Sequence, residues 1–235
     1  MRKAFKASRL MGLCAIVFGL MAFGATAAQA EPGAYWLVNG TDIGKTLLPE
    51  VNAKSDSAVT TLLTKVGVTN VEILCPTIKL VGAKLHELGR ATGKIHYEGC
   101  KTSLNGGAHV KNCEPKSHGA AAGLIETNAL DALLKLHILA SGAKDELLEL
   151  LPEAGTVLVP ILLGALCAIG DKFNISGKVT IKDCLGEGLV DKKEHLFEEG
   201  PLSALLFGSN PAVIDGSAFG FLIGAHAGMK FAGHA

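Results

Sequence analysis

The chain of 235 residues has few aromatic residues and no net charge, and both absences restrict its function. Aromatic residues make up 5% of the sequence, and 22 lysines and arginines balance 22 aspartates and glutamates. Proteins that bind nucleic acid usually present a basic stripe, and those that bind single strands add aromatic side chains that stack on bases. The sequence shows neither feature, and we therefore expect no nucleic acid partner.

Several signatures of catalysis are absent as well. The sequence contains no Gly-x-Ser-x-Gly, no His-Glu-x-x-His and no Cys-x-x-Cys. The segment "GTDIGKT" (Gly40–Thr46) resembles a phosphate-binding loop, but three residues instead of four separate its first glycine from Gly-Lys-Thr. We interpret Asn39-Gly40 instead as a turn that follows the strand "YWLV".

The first thirty residues have the layout of a cleaved secretory signal. A basic head precedes an apolar run from Leu10 to Phe23, and Ala28-Gln29-Ala30 supplies small residues for cleavage. The segment carries four of the 22 basic residues, so the remaining 205 residues hold 18 basic and 22 acidic side chains. The sequence therefore predicts a signal peptide over 1–30, a secreted periplasmic or extracellular protein, and one β-rich domain over 31–235.

Alternation of apolar and polar residues with period two runs through most of that domain. In Lys94–Glu98, Ile95 and Tyr97 share one face, while His96 and Glu98 share the other. The same pattern predicts further strands at 71–75, 77–81, 134–139, 157–163, 173–182 and 217–225. We expect an all-β sandwich or barrel of antiparallel strands with one or two short helices, stapled by disulfides.

Four local features refine this expectation. A helix is predicted over Ser57–Val66, because serine and aspartate precede an apolar pattern that ends at Gly67. The segment "AKDELLELLPEAG" fits either a helix or a strand. Pro160 indicates an edge strand or a bulge, because proline cannot donate a ladder hydrogen bond. Ser176-Gly177 predicts a tight hairpin turn inside 173–182.

Five cysteines remain after removal of the signal with Cys14, and in an exported protein they indicate disulfides. If Gly106-Gly107 forms a two-residue turn, Cys100 faces Cys113 at a non-hydrogen-bonded position, which suits a disulfide. A turn at Asn105-Gly106 would move that register. For the other three cysteines we predict a Cys75–Cys167 disulfide and a free Cys184.

Two sets of residues could instead bind a metal. The first is Cys100 and Cys113 with His109 and His118, and the second is the terminal group of His226, Met229 and His234, which could bind copper. The first set lacks a second paired motif, and such a terminus is usually frayed. We therefore predict no metal and no other cofactor.

A Gly99-Cys100 strand end, a loop that returns to Cys113, and the segment "GLIETNAL" (Gly123–Leu130) follow one another in the chain. This arrangement resembles an uncharacterised group of exported bacterial proteins, from "AYWLVNG" to the glycine-rich end. The resemblance implies a β-rich secreted domain, and it supplies no activity, cofactor or catalytic residue.

These observations favour a non-catalytic envelope or extracellular protein that is structural or binds a partner, with an apolar small molecule or an envelope component as the possible ligand. Apolar strands that could line a cavity support this expectation. The alternative is a secreted hydrolase or metal-binding protein built from dispersed histidines, since a catalytic triad is recognised by geometry. On the strand pattern, His96, Glu98 and His137 lie on polar faces, where surface roles are the simpler interpretation.

Overall fold

The computed structural model describes residues 33–56, 59–138, 140–142, 144–182, 194–199 and 202–235, and most of them lie in antiparallel strands. The predicted signal peptide and Cys184 lie outside these residues. The strands within them are β1 Tyr35–Val38, β2 Thr41–Asp42, β3 Glu50–Ser55, β4 Thr60–Val66, β5 Thr69–Cys75, β6 Thr77–Leu85, β7 Arg90–Glu98, β8 Lys101–Leu104, β9 Ile125–Glu126, β10 Leu130–Ile138, β11 Lys144–Pro152, β12 Val157–Leu162, β13 Lys172–Lys182, β14 Glu194–Glu199, β15 Ala204–Phe207, β16 Asn210–Asp215, β17 Ser217–Ile223 and β18 Phe231–His234.

The predicted all-β class is confirmed, but the helix predicted over Ser57–Val66 is wrong. Within the described ranges there is no α-helix, and the two short helices are single 3₁₀ turns, Lys111–Cys113 and Gly224–His226. Thr60–Val66 forms β4, which pairs with β5 on one edge and β16 on the other. Its threonines and valine favour extended backbone, and pairing on both edges outweighs the local helical signal.

The ambiguous leucine-rich segment is also a strand. β11 pairs with β10 over the full length of both strands, from Leu130 opposite Pro152 to Ile138 opposite Lys144. Leu148 and Leu150 are buried on the same face, as period-two alternation requires. The antiparallel partner therefore decides between the two conformations that the pattern allowed.

The strands form one strongly curled sheet of fifteen members and a separate sheet of three, in the order β18-β1-β2. The path of the large sheet is β11-β10-β7-β6-β3-β17-β14-β13-β15-β16-β4-β5-β8. β13 also pairs with β11 through Val179–Ile181. Each strand from β11 to β13 along this path therefore pairs with the next, and the last of them pairs with the first. The inner faces of the curled sheet enclose the main core.

The hairpin turn predicted at Ser176-Gly177 is wrong, because β13 continues through both residues. The first half of β13 pairs with β12 and β15, and the second half pairs with β11 and β14. Gly177 has φ +108°, and a Cβ there would overlap the carbonyl oxygen of Ala204 on β15. Gly177 is required for this close approach of two backbones and makes no chain reversal.

Two glycines help the sheet to curl between β6 and β7. The register shifts between Val81 and Lys84, around Gly82 at φ +62°. Opposite this bulge, Gly93 has φ +154°, and a Cβ there would lie 2.7 Å from Cα of Ala83. Bulges and glycine kinks bend strands, which lets a sheet wrap around its core.

Two smaller predictions are confirmed. Asn39 and Gly40 have φ +49° and +82° and join β1 to β2 as a tight turn, with Val38 opposite Thr41. Pro160 lies in β12, whose only strand partner in the described chain is β13, and the register of that pair is irregular at Val157. Both features match the edge position that proline requires.

All four cysteines predicted to form disulfides do so, but both predicted pairings are wrong. Cys75 bonds to Cys100 and Cys113 bonds to Cys167, with Cα–Cα distances of 4.1 and 4.7 Å. All four side chains are buried. Two such bonds indicate an oxidising environment outside the cytoplasm.

The local turn explains why Cys100 does not reach Cys113. The reversal occurs at Asn105-Gly106, where φ is +53° and +68° and the amide of Gly107 donates to the carbonyl of Leu104 at 3.0 Å. After Val110 the chain enters a 3₁₀ turn, which carries Cys113 away from the strand. Cys113 is thereby placed beside the loop after β12, where Cys167 lies.

Candidate ligand cavity

A cavity of about 210 Å³ lies inside the curled sheet. Most of the side chains that line it are aliphatic and come from strands far apart in the chain. Representative lining residues are Val51, Leu62, Ile73, Ile95, Leu148 and Ile161. The space is therefore hydrophobic, and it lies where the inner faces of opposed strands do not fill the interior completely.

The alternation of the strands explains how this lining forms. On β10 and β11, Ala132 lies directly opposite Leu150, and both side chains face the cavity. Leu130, two residues before Ala132, also contributes to the lining. Successive residues point to opposite faces, so every second residue of these strands reaches the interior.

The three-stranded sheet places two large aromatic residues against the cavity. Trp36 on β1 and Phe231 on β18 both line it, and each is 1% exposed. Their ring centroids are 6.4 Å apart. Nε1 of Trp36 donates to the carbonyl oxygen of Arg90 at 2.7 Å, which anchors the small sheet to the start of β7. These rings cover the cavity on the side of the small sheet.

Tyr97 is the phenolic side chain of the lining. As predicted, it shares the inward face of β7 with Ile95. Protein surrounds it, and this burial raises the pKa of Tyr97 to about 12. The side chain is only partly inaccessible, because one side of it borders the cavity instead of packing against other side chains. Its hydroxyl is a neutral group that can donate or accept a hydrogen bond.

The opposite face of β7 carries a set of charged residues. Glu126 on β9 accepts a hydrogen bond from Nζ of Lys94 at 2.7 Å, and this bond is the main reason that the pKa of Glu126 is lowered. Nε2 of His96 lies 3.2 Å from the other carboxylate oxygen of Glu126, but the angles do not suit a hydrogen bond. Glu98 pairs with Lys79 at 2.9 Å. Lys94 also borders the cavity, whereas Lys79, His96, Glu98 and Glu126 form a polar surface outside it.

The histidines considered for catalysis are not brought together. His96 on β7 lies opposite Glu126 on β9. His137 on β10 is eleven positions further along the sequence than Glu126, roughly 30 Å away at the rise of an extended strand. The two histidines therefore cannot act on one substrate group within this chain.

The residues considered as metal ligands are also occupied or separate. Cys100 and Cys113 are in disulfides. The backbone of His109 forms an isolated β-bridge with Ser103 on β8, and Nε2 of its ring is buried without a hydrogen-bond partner among the described residues. The ring of His234 stacks on Tyr35 at a centroid distance of 5.0 Å. Across the described ranges, no group of three or more histidine, cysteine or acidic side chains could hold a metal ion.

Other proteins supply no precedent for this site, because no family model, no curated protein and no solved structure matches the chain. Among the described residues, no helix is long and apolar enough to cross a membrane. Sequence reasoning found that Ile95 and Tyr97 face inward, but not that an open space lies beside them. The cavity is therefore the feature of the described residues that bears most directly on function.

Proposed function

We propose that this protein is an exported, non-catalytic binding protein that holds a small apolar molecule inside its curled sheet. The observation that supports it best is the hydrophobic cavity of about 210 Å³ bordered by Trp36 and Phe231. Apolar cavities of about 150 Å³ stay dry and bind benzene, so a cavity of this size and lining suits a ring-sized hydrocarbon group.

The affinity of such a ligand can be approximated from the area that it buries. A ring of the size of a phenylalanine side chain buries about 200 Å², which corresponds to about 5 kcal/mol at 25 cal/mol per Å². A net binding energy of this size gives a dissociation constant of about 0.1 to 1 mM. The natural ligand would bind more tightly if its shape matched the cavity better.

Export is proposed from the predicted signal peptide and is supported by the two disulfides, which require an oxidising compartment. The absence of the searched catalytic motifs supports a binding role, as does the distance between His96 and His137. The resemblance to exported bacterial proteins stays a prediction, and it agrees with this role.

The first test is a native mass spectrum of the disulfide-bonded protein, followed by solvent extraction and titration with ethylbenzene in a calorimeter. We expect a co-purified apolar molecule or binding of ethylbenzene near the affinity given above. The absence of both would contradict the proposed function.

A cavity-filling variant shows whether binding occurs at this site. Ala132 is 6% exposed and faces the cavity, so Ala132→Leu should reduce ethylbenzene binding at least tenfold by occupying part of the space. Ala204→Leu is the matched control, because Ala204 is an exposed strand residue outside the lining. Equal loss of binding in both variants would place the ligand elsewhere.

A further inference from the structure

The proposed function does not specify the chemical class of the ligand. The side chain of Tyr97 restricts that class. We propose that the cavity binds a neutral, mainly hydrocarbon molecule with one oxygen that hydrogen bonds to the hydroxyl of Tyr97. This inference rests on the proposed function, and it adds the polar contact and the charge state of the ligand.

The hydroxyl of Tyr97 has unused hydrogen-bonding capacity. Among the described residues, no side chain or backbone group bonds to it, although protein encloses the tyrosine. In the described chain, the side-chain polar atoms that are fully buried without a partner are on His96, Thr102 and His109. The hydroxyl of Tyr97 is not one of them. The hydroxyl is therefore open to the space that Tyr97 lines, and an enclosed polar group is normally paired.

Three other hydroxyl side chains at the cavity already have partners within the protein. Oγ1 of Thr127 accepts from the amide of Ile95 at 2.9 Å. Oγ1 of Thr92 lies 2.8 Å from Nε2 of His86, and Oγ of Ser217 donates to Asp56 at 3.0 Å. Each of these hydroxyls already has one bond within the protein, whereas the Tyr97 hydroxyl has none among the described residues.

The surroundings of Tyr97 favour a neutral ligand. Its phenol is protonated at physiological pH, and burial raises its pKa further, from 10 to about 12. Lys84 and Lys94 are both at the cavity wall. Nζ of Lys94 is paired with Glu126 at 2.7 Å. The strand neighbours of Lys84, Ala83 and Leu85, are buried, so alternation directs the Lys84 side chain to the opposite face. A carboxylate ligand would be transferred from water into hydrocarbon with one neutral donor, which is strongly unfavourable.

The volume limits the size of the molecule. In proportion to cavities that accept benzene, a space of about 210 Å³ holds roughly eight non-hydrogen atoms. Benzyl alcohol and ethylbenzene are near that size and have nearly the same shape, and they differ in one hydroxyl group. They are suitable probes because the difference between their affinities isolates the hydrogen bond.

The experiment measures both probes by calorimetry with the wild type, Tyr97→Phe and Tyr35→Phe. We expect Tyr97→Phe to lose about 2- to 13-fold affinity for benzyl alcohol, the usual range for one neutral hydrogen bond, and to keep its affinity for ethylbenzene. Tyr35→Phe changes the other tyrosine of the chain, which is stacked on His234 outside the cavity lining, and should alter neither affinity.

Each alternative result has a separate meaning. If both probes bind and the benzyl alcohol to ethylbenzene ratio is the same in wild type and Tyr97→Phe, the polar contact is wrong and the proposed function stands. If neither probe binds the wild type, the polar contact is overturned, and the proposed function is overturned with it when no apolar molecule co-purifies. If benzoate binds more tightly than benzyl alcohol, the inference of a neutral ligand is overturned. Thermal unfolding of Tyr97→Phe, which removes one oxygen atom and no packing volume, verifies that the variant is folded.

Discussion

Cys75 ends β5 and Cys100 immediately precedes its partner strand β8, and the disulfide joins them with their Cα atoms 4.1 Å apart. The register makes this inevitable once the strands pair, because Leu74 lies opposite Lys101 and the next residue on each side is a cysteine. The second disulfide has a different role, since Cys113 and Cys167 join two loops that are 54 residues apart in the chain.

The two disulfides should stabilise the fold by slightly different amounts. Loop closure over 25 residues corresponds to about 3.5 kcal/mol, and closure over 54 residues to about 4 kcal/mol. We expect the double variants Cys75→Ser/Cys100→Ser and Cys113→Ser/Cys167→Ser to lose these amounts in urea unfolding. Each variant is compared with wild type under oxidising and reducing conditions, and the difference should disappear when wild type is reduced. A tryptic fragment that joins Cys100 to Cys113 without reduction would contradict the pairing.

Gly177 should be far less tolerant of substitution than glycines in open turns. In Gly177→Ala the new methyl group meets the carbonyl of Ala204 and the residue must keep φ +108°, so we expect a loss of about 3 kcal/mol or more. Gly67→Ala is the control, because Gly67 also has positive φ but nothing lies within 4 Å of its Cβ position. The control should lose only about 1 kcal/mol. Similar losses in urea unfolding would show that β13 and β15 do not approach as described.

Stability at alkaline pH should depend on Tyr97. Its pKa is raised from 10 to about 12 in the folded protein, so the unfolded chain releases this proton first as the pH rises. The stabilisation of the neutral phenol is complete below pH 10 and is lost between pH 10 and 12, by about 3 kcal/mol. Phenylalanine has no proton to release, so the stability of Tyr97→Phe should not show this loss. Between pH 10 and 12 the variant should therefore become more stable relative to the wild type. Parallel pH curves for the two proteins would contradict the buried position of the hydroxyl.

Substitution of the histidines distinguishes binding from the catalytic alternative. We expect His96→Ala and His137→Ala to leave the amount of co-purified ligand and the ethylbenzene affinity unchanged, because neither residue lines the cavity. Ala132→Leu serves as the positive control in the same calorimetric assay. A hydrolytic activity or bound metal that disappears in either histidine variant would support the alternative function.

Much of the local structure could be predicted because it depends on neighbouring residues alone. The inward positions of Ile95 and Tyr97 follow from alternation along one strand, and the Asn39-Gly40 turn follows from residues that tolerate positive φ. The helix predicted over Ser57–Val66 was wrong because Thr60–Val66 lies in a strand with partners on both edges. Those partners, β5 and β16, contribute pairing energy that no local pattern contains.

The sequence by itself determined the all-β class, the Asn39-Gly40 turn and the set of cysteines that can form disulfides. Only the tertiary structure decided which cysteine meets which, why Gly177 is a close contact instead of a turn, and that a cavity exists beside Tyr97. The physical reason is distance along the chain. Alternation acts over two residues, whereas the cavity requires Trp36 and Phe231 to meet strands from the whole domain. Strand pairing over such separations is set by the cooperative packing of all the strands together.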